Sequence, residues 1–86
     1  MRRYVIEYRI SSASEWELDT KQLWNKEEVE AENGVDAIKI VKNKLIEVNL
    51  NKGYEANYYN GNTIMICKPD GSLHEAYSNF NIVKRI

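Results

Sequence analysis

The sequence has little of what most covalent and metal chemistry requires. Among 86 residues there is one cysteine, one histidine and one proline. A single cysteine excludes an internal disulfide, so the core must hold without a staple, as suits a reducing compartment. Zinc sites draw three or four nitrogen and sulfur ligands, and Cys67 and His74 alone do not supply them. No stretch approaches the ~20 apolar residues of a membrane span. The opening MRRYVIEYRI is interrupted by Glu7 and Arg9, so no signal-peptide core is expected, and the cytoplasm of a bacterial host is the expected location. No P-loop, GxGxxG, HExxH, GxSxG or CxxC spacing occurs. These absences argue against an enzyme, a metal and a cofactor.

What is present is an ordinary folded composition. Apolar residues make up 43% and charged residues 29%, which suits one small domain over residues 1–86. The net charge is only −1, yet it is unevenly spread. Residues 11–36 carry eight carboxylates against two lysines, a net −6, whereas 37–52 carry four lysines against one glutamate, a net +3. Such an asymmetry bears on the choice of partner more than on the fold.

Periodicity gives the elements. Tyr4, Ile6, Tyr8 and Ile10 alternate with Val5, Glu7 and Arg9 in a strand with one buried face. LWNKEEVEAE alternates again, with Leu23, Asn25, Glu27, Val29 and Ala31 on one side. A long acidic connection joins the two runs. The period then becomes helical. Asn33 is the expected N-cap with Asp36 at the third helical position, and Ala37, Ile38, Val41, Leu45 and Val48 form one face. The early acid and the later lysines suit the helix dipole. Beyond Gly53, YEANYYNGNTIMICK reads as a hairpin about Asn60-Gly61, a pair suited to a type I′ turn. LHEAY follows as a strand, and NFNIVKRI is a candidate for a further, last one, with Phe80, Ile82 and Ile86 in phase. The expected fold is α+β, in the order β-β-α-β-β-β, with one amphipathic helix on one face of a mostly antiparallel sheet.

KPDGSLHE gathers the only proline and the only histidine one residue after Cys67. Turn geometry accounts for Pro69, Asp70 and Gly71. A Cys67–His74 nucleophile pair or an Asp70/His74/Glu75 acid–base group fits less well, because Cys67 lies in an apolar strand and reads as a buried, inert thiol. His74, out of phase with Leu73, is expected to face away from the core.

Two surfaces remain as binding candidates. The first is acidic and bears tryptophan: Glu15, Trp16, Glu17, Asp19 and Trp24, with Ile40 as an apolar outlier on the polar side of the helix. Clustered carboxylates beside an aromatic anchor suit a basic protein partner, such as a protein that handles nucleic acid. The second joins Tyr58 and Tyr59 with Lys68, Lys84 and Arg85, near Arg2 and Arg3, as an aromatic and basic sheet face that could stack bases. A pI of about 5.8 makes nucleic acid the second choice. Nothing in the sequence excludes a homo-oligomer.

YVIEYRI with VEAENGVDAIKIVKNKL resembles the strand–strand–helix unit of an archaeal ribosomal protein family, in which an EVEAEN stretch also leads into the helix. The resemblance spans about half of the chain and implies that order of elements; it carries no functional residue. In size, acidity and the heavy use of Lys, Asn and Ile, the chain is also similar to small accessory proteins of phages, anti-CRISPR inhibitors among them. That likeness implies a non-catalytic protein that binds, and inhibits, a host protein.

Overall fold

The computed structural model describes residues 1–12 and 23–86. Among the described residues, five strands and one helix follow the expected order. They are β1 (Arg2–Ser12), β2 (Leu23–Ala31), α1 (Gly34–Asn51), β3 (Glu55–Asn60), β4 (Thr63–Cys67) and β5 (Leu73–Arg85). The strands form one antiparallel sheet in the order β2-β1-β5-β4-β3. The helix thus connects the two outermost strands, and β1 and β5 lie at the centre.

One face of the sheet makes the core. Tyr4, Ile6 and Tyr8 of β1, Ile64 and Ile66 of β4, and Tyr77 and Phe80 of β5 are buried in one cluster with Ala37 and Val41 of the helix. The helix begins at Asn33, whose extended backbone and side-chain oxygen cap the N–H of Asp36. It ends at Lys52, and Gly53 supplies the left-handed turn at φ 87°. The lysines fall mid-helix, and the last turn holds no base, so the dipole complement expected there is missing.

The buried ladder of the helix steps by four: Ala37, Val41, Leu45, Asn49. Val48, expected on the buried face, is exposed, and Asn49 is buried in its stead, at 2% exposure. Its amide donates to the Leu45 carbonyl (2.8 Å) and the Tyr77 hydroxyl (3.1 Å). A polar side chain is tolerated in the core because both contacts replace water. Leu45 is half-buried.

Bulges shape the far side of the sheet. LHEAY and NFNIVKRI form one strand, interrupted where Asn79 adopts a left-handed φ of 55°. That bulge sets Asn79 and Phe80 against the single Tyr8 and turns Phe80 onto the core face. Tyr8 then stacks on Phe80 at 5.4 Å and meets Tyr77 edge-on at 5.9 Å. The β3–β4 hairpin also departs from expectation. Asn60 pairs with Thr63, so Gly61 and Asn62 are the central residues, and neither has positive φ. The Asn60 side chain accepts the N–H of Asn62 at 2.8 Å, an Asx turn that replaces the type I′ geometry.

Candidate functional site

Among the described residues the sequence candidates do not form one surface. Glu15, Trp16, Glu17 and Asp19 lie outside the described residues. Trp24 pairs with Arg9 on the sheet face turned away from the helix, 44% exposed. Ile40 is 42% exposed on the helix, on the opposite side of the sheet. The expected joint patch of Trp24 and Ile40 is therefore divided by the sheet itself. The aromatic and basic alternative is divided too. Lys84 opposes Val5 and Arg85 opposes Tyr4, so they point to opposite faces. Tyr58 and Tyr59 lie far off on the edge strand β3, exposed, and Lys68 sits in the turn after β4.

The KPDGS turn closes as expected. Gly71, at φ 89°, donates to the Lys68 carbonyl, and Lys68 donates to that of Ser72. Asp70 accepts from both the N–H and hydroxyl of Ser72, which hold its carboxyl below the usual range. Glu75 accepts from the Tyr77 hydroxyl. His74 is the extra residue where the β4–β5 register shifts, and its ring lies on Tyr54 at 4.6 Å, half-buried and not turned away from all packing. Cys67 is half-buried, not the fully buried thiol expected. Each member of the supposed acid–base group is thus bonded or stacked elsewhere. Among the described residues no group of three His, Cys, Asp or Glu side chains could hold a metal ion.

The structure instead draws attention to β2. Its pairing with β1 runs without a shift from Arg2↔Ala31 to Ile10↔Leu23. Because side chains alternate, Trp24, Lys26, Glu28 and Glu30 share the face away from the helix, and Leu23, Asn25, Glu27 and Val29 share the helix side. Val29 and Ala31 seat the end of the strand in the core, and polar contacts hold the rest. Arg3 reaches Glu28 (3.2 Å) and Glu30 (3.4 Å) from β1. Asn25 donates to the Tyr8 hydroxyl at 2.7 Å, and Lys44 of the helix meets Glu27 at 3.3 Å. Burial raises the pKa of the Tyr8 hydroxyl, against the lowering effect of the Asn25 amide. The second carboxylate oxygen of Glu27 is buried with no hydrogen-bond partner.

β2 is the terminal strand of the described sheet, so its outer backbone edge faces no other described strand. Leu23 and Trp24 are exposed at its start, next to the acidic segment that precedes them. Sequence alone singled out Trp24 but missed Glu27, Glu28 and Glu30. Their share in the net charge of 11–36 was visible; their place on an outer edge was not.

The chain matches no family model, no curated protein and no solved structure. The ribosomal-protein likeness of the strand–helix junction therefore has no family match behind it. No helix among the described residues is long and apolar enough to cross a membrane.

Proposed function

We propose that this is a small non-catalytic protein that binds a basic protein partner through the acidic outer strand β2. One observation supports the reading above all: two exposed carboxylates, Glu28 and Glu30, share the outward face of an outer strand with exposed Trp24. Exposed carboxylates speed encounter with a cationic surface, and an aromatic at the rim slows release. The acidic residues Glu15, Glu17 and Asp19, with Trp16, precede this strand in sequence. The likeness to phage accessory proteins makes a nucleic-acid-handling protein of a bacterial host the partner to seek, with inhibition as the outcome.

Nucleic acid is the weaker reading. Lys84 and Arg85 point to opposite faces, so the basic residues offer no single track for a phosphate backbone.

The test is capture from bacterial lysate, with and without nuclease treatment, on the immobilised protein, in parent and E28K/E30K forms. A basic protein retained by the parent and lost by the variant is expected. Equal retention by the variant overturns the assignment of the edge. Binding that disappears with nuclease overturns the choice of a protein partner.

A further inference from the structure

The backbone of β2 suggests how such a partner is held. A strand edge carries rows of N–H and C=O groups that need partners, and the outer edge of β2 faces none among the described strands. We propose that β2 accepts an extended, basic segment of the partner as a sixth, antiparallel strand. This rests on the reading of the acidic edge as the binding surface.

Geometry and charge both favour it. β2 is nine residues long and pairs with β1 in one unbroken register, so its outer edge continues a regular ladder. Bulges interrupt β3 and β5, and a bulge spoils the next ladder. Lys44 offsets Glu27, whereas Glu28 and Glu30 share the single cation Arg3, so the uncompensated negative charge of the strand lies with these two exposed carboxylates. A second copy of β2 brings like charge and is disfavoured, whereas a cationic strand is favoured.

The register also predicts what the segment looks like. Glu28 and Glu30 are gripped from the inner side by Arg3, and their side chains remain 48% and 60% exposed. A strand antiparallel to β2 therefore places cations opposite Glu30 and Glu28, an acid opposite Lys26 and an apolar residue opposite Trp24. On the helix side it places an apolar residue opposite Val29. A hydroxyl suits the position opposite Glu27, whose second oxygen has no partner, and the one opposite Asn25. From its N-terminus the segment reads cation, apolar, cation, hydroxyl, acid, hydroxyl, apolar.

The probe is the end-capped peptide Lys-Val-Lys-Thr-Glu-Thr-Ile, titrated into the full ¹⁵N-labelled chain. Amide shifts concentrated on Leu23–Ala31 and slowed exchange of β2 amides are expected. N-methylation of the peptide at the alternate residues facing β2 keeps every charge and removes backbone hydrogen bonds. It should weaken binding at least about tenfold, and E28K/E30K should do likewise. If the methylated peptide binds as well as its parent, strand addition is wrong. The acidic-edge reading then still stands, provided that lysate capture depends on Glu28 and Glu30. A peptide that moves no β2 amide also overturns the proposal. So does protection of β2 amides that grows with concentration of the protein alone, which would identify a second copy as the occupant.

Discussion

β2 and β3 are the two outer strands of one sheet, and they avoid stray pairing by different means. β2 is long and regular and relies on charge: Lys26, Glu27, Glu28 and Glu30. β3 carries one charge in six residues, Glu55, and relies on geometry: it is short, and a bulge beside Tyr59 breaks its register. Their attachments to the sheet differ in the same way. β3 is anchored by apolar pairs, Ala56↔Ile66 and Tyr58↔Ile64, over buried isoleucines. β2 seats only Val29 and Ala31, at its end, in that core; along the rest of its length it is anchored by Asn25 on Tyr8, Lys44 on Glu27 and Arg3 on Glu28 and Glu30. Charge leaves an edge sterically open to a strand of the right sign, whereas a bulge closes it to most strands. A binding edge is therefore better guarded by charge.

The contrast can be broken most severely from the apolar side. Ile64→Ala removes a fully buried side chain under Tyr58 and should cost ~2–5 kcal/mol, read from urea unfolding. A loss below ~1 kcal/mol would mean that β3 is not held by its isoleucines. Asn49→Ala tests the centre that both edges share. It strips the Tyr77 hydroxyl of a donor and should cost ~1–3 kcal/mol.

Tyr77 gives that centre a pH signature. Burial, then the bond to Glu75, raises its pKa above the ordinary value of 10.0. The unfolded chain therefore releases this proton at lower pH than the folded one. The stabilising contribution is complete below about pH 10 and declines as pH climbs from there towards the raised folded value. Unfolding free energies measured from neutral to alkaline pH should decline through that window, and Tyr77→Phe should flatten this part of the decline. An unchanged alkaline slope in the variant would place the titration elsewhere.

Two weaker perturbations sharpen the comparison at the surface. E27Q/E28Q/E30Q removes the charge guard from β2 and should let copies pair. Sedimentation of the variant should then rise with concentration more steeply than that of the parent. Y58S/Y59S on the bulged edge should leave sedimentation unchanged. Smallest is Arg3→Ala, which deletes two exposed ion pairs and should cost ~1 kcal/mol or less, with the difference shrinking in high salt.

Much of the fold was legible from local pattern. The β1 alternation, the Asn33 cap and the Asp70-Gly71 turn each depend on residues within a few positions of one another. Longer-range features were less visible. The step-of-four ladder that buries Asn49 and exposes Val48 depends on how the helix rotates against Tyr77, 28 residues away in sequence. The bulge at Asn79 that joins LHEAY to NFNIVKRI depends on the need to seat Phe80 on Tyr8.

The candidate site divides along the same line. By itself the sequence determined that 11–36 is acidic and that Trp24 stands within it. Only tertiary structure decided that Trp24 and Ile40 lie on opposite sides of the sheet, that Lys84 and Arg85 face apart, and that β2 is an outer strand. The physical reason is that charge and periodicity belong to neighbouring residues. Which strand lies at the edge depends on where β5 returns, and β5 begins 42 positions after β2 ends.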